Sequence, residues 1–165
     1  MSRTRRSLRA TLPLAAALSA ALVLAGCGSD AKPQVTWSAG EATQTIGPAQ
    51  YCDLKMKDCS NDEAAQARLA VPAGTPVEVT VPDEVSEAPW SVVFSYTGAD
   101  GQRTDGRSPV FAPNAQTSYT LTLPEPGDVL GTAQVQLLGA APVANPDTGE
   151  LDYPARATWV LVAQQ

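Results

Sequence analysis

Trp90-Ser91-Val92-Val93-Phe94-Ser95-Tyr96 is the stretch whose reading decides the fold class. With a period of two it places Trp90, Val92, Phe94 and Tyr96 on one side, the heaviest apolar face in the chain. Aromatic and β-branched residues in this alternation suit a pleated, half-buried surface, so the segment is expected to be the central strand of a sheet.

The same period continues on both sides of it. Upstream, Val35 and Trp37 alternate with Thr36 and Ser38 in what reads as an edge strand, followed by polar Thr43-Gln44-Thr45 and a turn at Gly47-Pro48. Leu69 and Val71 form the next strand, and Val77, Val79 and Val81 another after a Pro72-Ala73-Gly74 turn. Asn61 to Gln66 is expected to make one helical turn capped by Asn61 or Ser60. Downstream, Asp100-Gly101 is a hairpin signal, and Asp105-Gly106 repeats the dipeptide. Tyr119, Leu121 and Leu123, then Ala133, Val135 and Leu137, alternate with polar residues. A last strand around Trp159 to Val162 has apolar residues facing both ways, which predicts burial on both sides.

Seven to nine strands with turn signals every 8 to 12 residues, as the pattern for such folds requires, predict an all-β, immunoglobulin-like β-sandwich over residues 34–165. A small barrel is the alternative closure of the same strands. Trp37, Trp90 and Trp159 each fall on an apolar strand face and are read as core residues.

Before this domain lies a leader. Arg3, Arg5, Arg6 and Arg9 form a basic region, and Leu12 to Leu24 is an uncharged apolar run ending in small residues, the layout of a secretory signal. The run is shorter than the roughly 20 residues needed to cross a bilayer. Leu24-Ala25-Gly26-Cys27 resembles the lipobox of bacterial lipoproteins, in which the thiol is acylated and the cut falls just before it. Residues 1–26 are therefore expected to be a cleaved lipoprotein signal peptide, Cys27 the lipidation site, and residues 27–33 a lipid-anchored linker. Several acyl chains, at about 0.8 kcal/mol per buried CH₂, hold far more firmly than one. The expected location is the extracytoplasmic face of the cell membrane.

Two cysteines remain after Cys27 is assigned to lipid. In an exported chain, Cys52 and Cys59 are most simply a disulfide. A redox pair would have closer spacing, and a metal site would need two more ligands. They stand too near each other in sequence to bridge two sheets as an antibody-domain disulfide does.

After removal of the leader, seven Lys and Arg oppose seventeen Asp and Glu, a net charge of −10. Nucleic acid is excluded as a partner, and anionic headgroups are expected to repel the domain as a whole. The chain contains no histidine, so Ser-His and Cys-His nucleophile pairs and histidine-bearing zinc sites are absent. Neither Gly-x-Ser-x-Gly nor a phosphate-cradling glycine loop occurs. Paired carboxylates are plentiful, yet the aromatic platforms that glycosidase sites use are sparse once the tryptophans are placed in the core. No catalytic residue and no cofactor is assigned, and the chain is read as a non-enzyme. Asp147, Glu150 and Asp152 form an acidic group between Ala144 and Pro154. Their spacing lacks the alternating ligands of a calcium loop, and Asn145-Pro146-Asp147-Thr148-Gly149 is ordinary turn chemistry, so no metal site is expected.

The lipobox, Tyr51-Cys52 with Cys59, Leu69-x-Val71-Pro72-x-Gly74-x-Pro76-Val77, Pro89-Trp90 and a terminal Ala157-Thr158-Trp159 together resemble the actinobacterial secreted lipoproteins grouped as domain of unknown function family 2771. That resemblance implies a cell-envelope protein with no assigned activity. The expected role is a protein-interaction or structural module of the envelope, with an envelope protein as partner. A small-ligand or glycan-binding lipoprotein is the alternative, and it calls for a large, partly exposed aromatic groove.

Overall fold

The computed structural model describes residues 31–144, Pro146, Gly149 and 151–165, the side chain of Asp152 excepted. Cys27, Asp147 and Glu150 lie outside the described residues. In chain order the strands are β1 (Val35–Ala39), β2 (Ala42–Ile46), β3 (Gln50–Cys52), β4 (Cys59–Asn61), β5 (Gln66–Ala70) and β6 (Val77–Thr80). A helical turn, α1 (Asp83–Ser86), precedes β7 (Trp90–Thr97), β8 (Arg103–Arg107), β9 (Ser118–Leu121) and β10 (Val129–Leu138). A short ribbon of β11 (Val143–Ala144) and β12 (Leu151–Asp152) leads to β13 (Ala155–Gln164). The described chain is all-β.

Two sheets take all of these strands but β11 and β12, which pair with each other. The smaller has the order β2-β1-β6-β9, antiparallel throughout. The larger runs β4-β3-β13-β10-β7-β8, also antiparallel, while β5 lies parallel to the second half of β13. Alternation does what the sequence pattern requires: Val35 and Trp37, Val77 and Val79, Trp90 and Val92, Ala133, Val135 and Leu137, and Ala157, Trp159 and Leu161 are all buried, and they join one hydrophobic core between the sheets. All three tryptophans are 0 % exposed. Trp90 packs on Phe111 with ring centroids 4.5 Å apart, and its Nε1 donates to the Gln116 carbonyl at 3.3 Å. The Trp159 Nε1 donates to the Pro33 carbonyl at 3.0 Å, fastening the start of the domain to its last strand. These bonds satisfy indole donors that burial would otherwise strand.

Several expectations are corrected. The Val35–Ala39 strand is interior, because Gly40, at φ 58°, reverses the chain and the polar Thr43-Gln44-Thr45 stretch becomes the edge strand β2. Cross-strand hydroxyl pairs, Thr36 with Thr45 at 2.8 Å and Ser38 with Thr43 at 3.1 Å, support this hairpin without any apolar alternation. Asn61 to Gln66 is not helical: Asn61 ends β4, and Asp62 forms a turn in which its carboxylate accepts from the Ala64 amide at 3.0 Å. The helical turn falls instead at Asp83–Ser86, after Pro82 and with two acids in its first turn. Asp105-Gly106 is no turn but part of β8, paired with Ser95 and Phe94. A Cβ at Gly106 would stand 2.5 Å from the Phe94 ring, so that glycine makes room for an aromatic lying across the strand. Asp100-Gly101 does turn the chain, with Gly101 at φ 78°. Only one face of β13 is fully buried, Val160 and Val162 being half-exposed on the other.

Candidate functional site on the outer face of the large sheet

The half of the Trp90–Tyr96 alternation that does not enter the core builds the most developed surface feature. Val93 and Ser95 of β7 stand beside Gln134 and Thr132 of β10, and beside Arg107 and Asp105 of β8. A bulge at Gly131 puts Thr132 opposite Ser95, and their hydroxyls lie 3.0 Å apart. These residues with Arg103 line an open hollow of about 450 Å³. Arg103 and Asp105 pair at 3.5 Å on its rim, both well exposed. Arg107 also borders a second hollow of about 360 Å³, shared with Gln136, Val143, Tyr153 and Pro154 where the β11–β12 ribbon lies. Phe94, half-buried, and Gly106 complete the lining, so the chemistry offered is hydrogen bonding by hydroxyls, an amide and guanidinium groups around Val93 and the Phe94 ring.

At the other edge of the same sheet, the β3–β4 hairpin sets Cys52 opposite Cys59, and the structure joins them with Cα atoms 4.0 Å apart. The bond lies within one sheet. Trp37, Trp90 and Trp159 offer no platform to a ligand, since each is enclosed by the core. Among the described residues no group of three or more Cys, Asp or Glu is placed to hold a metal ion, and no helix is long and apolar enough to cross a membrane. Asp147 and Glu150, and the side chain of Asp152, are outside the described residues. The outer sheet face was not singled out by sequence reasoning. Its only signal was the alternates Ser91, Val93 and Ser95 opposite the aromatic face, two hydroxyls about a valine, a pattern too common among strands to mark a site.

The family described as "Protein of unknown function (DUF2771)" matches residues 28–164. The chain belongs to that family. Among similar DUF2771-like chains, the uncharacterized protein Rv0875c of Mycobacterium tuberculosis (strain ATCC 25618 / H37Rv) is 31% identical over 151 residues, covering 90% of this chain and 87% of the relative. The uncharacterized protein Mb0899c of Mycobacterium bovis shows the same identity and coverage. No solved structure is significantly similar to this DUF2771 chain.

Proposed function

We propose that this DUF2771 protein is an extracytoplasmic lipoprotein, anchored through Cys27, whose immunoglobulin-like β-sandwich is a protein-interaction module of the cell envelope. The observation that carries the interaction reading is the outer face of the large sheet, broad, polar and free of any tryptophan platform. Among the described residues its aromatic surface is limited to the half-buried Phe94 and to Tyr153 at the second hollow, less than a glycan platform calls for, whereas a hydrogen-bonding face with an arginine bordering both hollows suits a protein partner. The immunoglobulin-like reading is supported by a buried Trp90 on an interior strand and by the terminal strand β13, which lies between β10 and the parallel β5. The anchor reading is supported by the basic leader, its apolar run and Leu24-Ala25-Gly26-Cys27.

Two measurements test these parts separately. Cys27→Ala is expected to abolish incorporation of labelled fatty acid and lipoprotein-type cleavage; a variant that still takes up the label overturns the anchor. A photo-cross-linking residue at Gln134, in whole cells, is expected to give a discrete adduct that Arg107→Glu removes. Equal labelling from Gln134 and from the far-edge Gln44 overturns the assignment of the interaction to this face.

A further inference from the structure

We propose that the disulfide-closed loop between β3 and β4 is a membrane-docking tip, which seats one corner of the domain on the anionic lipid surface to which the chain is tethered. The inference rests on the lipid-anchor reading and adds a second contact to it. Its starting point is a distribution that the net charge conceals. All three lysines of the chain, Lys32, Lys55 and Lys57, fall on the tether segment and this one loop. Arg156 joins them: the Lys32 ammonium and the Arg156 guanidinium each stand 5.9 Å from the Tyr51 ring centroid. Lys32 and Arg156 thus lie against this half-buried tyrosine, Lys57 lines the same hollow, and with Lys55 in the loop four of the seven basic residues outside the leader fall on the tether end, this loop and the strand beside it.

The loop is built to project. The Met56 amide donates to the Asp53 carbonyl at 3.0 Å, which leaves Leu54 and Lys55 at the two central positions of a turn. The Asp53 amide closes the loop on the Asp58 carbonyl at 3.0 Å, and the disulfide clamps its base. Leu54 at the tip is 72 % exposed, the most exposed large hydrophobic residue described. A lone exposed leucine is ordinary. Here it stands in Leu54-Lys55-Met56-Lys57, where apolar and basic side chains alternate at the end of a rigid finger. That is the composition of an interfacial anchor, with apolar groups entering the acyl boundary and ammonium groups reaching headgroup phosphates.

Charge at the loop is directional. Asp53 turns its carboxylate inward, accepting from the Lys57 amide at 2.7 Å and the Asp58 amide at 3.3 Å. Asp58 is exposed and opposes the lysines. An open hollow of about 460 Å³ beside the loop is lined by Lys32, Lys57, Tyr51 and Ser60 together with Asp53, Asp58 and Cys59, so the headgroup contact falls to the projecting ammonium groups and not to the hollow itself. Asp83, Glu84 and Glu87, around α1, leave the same end of the domain just before β7 begins, so the contact is a corner and not the whole end.

Tether length commits the occupant to the bilayer. Pro33 is fixed by Trp159, and Lys32 by a hydrogen bond from its ammonium to the Ser60 hydroxyl beside the loop. Five steps from Cys27 to Lys32 span at most about 18 Å even fully extended. The corner carrying Leu54 is therefore held within reach of the surface in which the acyl chains sit.

The test uses the acylated full chain in vesicles of phosphatidylglycerol and phosphatidylcholine. Leu54→Trp introduces an exposed indole, while the three native tryptophans are buried. Its emission is expected to shift to the blue and to be quenched by brominated acyl chains, and Lys55→Gln with Lys57→Gln is expected to remove the quenching. Gln102→Trp, in the β7–β8 turn at the opposite end, is expected to stay unquenched. If the chain is acylated and Leu54→Trp behaves like Gln102→Trp, the docking tip is overturned and the anchor stands. If Cys27 carries no lipid and the chain fails to stay with the vesicles, the anchor reading falls and the docking proposal falls with it.

Discussion

Removing the Cys52–Cys59 bond tests how the β3–β4 hairpin is held, and the two cysteines are expected to respond unequally. The sequence separation is 7, for which loop-closure entropy gives about 2.4 kcal/mol at 25 °C. Cys59→Ser loses this term and little else, because Cys59 is exposed. Cys52 is 0 % exposed, and among the described residues its sulfur meets the Gln50 side-chain amide at 3.6 Å and no other side-chain hydrogen-bond partner. Cys52→Ser therefore adds a poorly satisfied buried hydroxyl, a further cost of roughly 1–3 kcal/mol. Cys52→Ala avoids the hydroxyl and is expected to fall close to Cys59→Ser. Urea unfolding of each variant, and of the parent with and without reductant, measures these differences. Reductant is expected to lower the parent to the Cys59→Ser value. Equal losses for Cys52→Ser and Cys59→Ser would refute the burial argument, and an unchanged parent under full reduction would refute the entropy argument.

Two glycines give further expected outcomes. Gly74 has φ 72°, and a Cβ there would lie 2.8 Å from the Pro126 carbonyl oxygen, a backbone atom that has no rotamer by which to retreat. Gly74→Ala is expected to cost about 2 kcal/mol or more in chemical unfolding, from left-handed strain plus the contact; a change within about 0.5 kcal/mol, as for an ordinary surface substitution, would contradict it. Gly106→Val is expected to cost about 1–3 kcal/mol by driving into the Phe94 ring. Phe94→Ala in the same chain is expected to relieve part of that cost, a coupling that a double-mutant cycle reads directly.

What proved legible in the sequence was whatever a period of two encodes. Trp37, Trp90 and Trp159 each recur at a period of two with other apolar residues, Val35, Val92 and Leu161, and each lies in the core with them. The long strands β7, β10 and β13 announced themselves by their apolar faces, and Asp100-Gly101 announced its turn by a glycine free to take the positive φ. The short strands were invisible, because β2, β3 and β4 bury too little to need alternation and are held by hairpin geometry, hydroxyl pairs and a disulfide. Asp105-Gly106 misled for a related reason: its glycine answers to a ring twelve residues earlier in the chain, and no local signal marks such a debt.

Composition, the missing histidine and the basic and apolar segment before Cys27 were properties of the chain in one dimension, legible without any fold. Where charges and polar side chains gather is a property of pairing between distant strands. Only the register of β3 against β13 brings Tyr51 beside Ala157, and with it Arg156 and Lys32 against one ring. Likewise the outer face joins Val93, Arg107 and Gln134 from three strands that the chain visits at different times. A sum over the sequence cannot resolve such neighbours, because charge and hydrogen bonding act across a few ångströms of space and not along the contour of the chain.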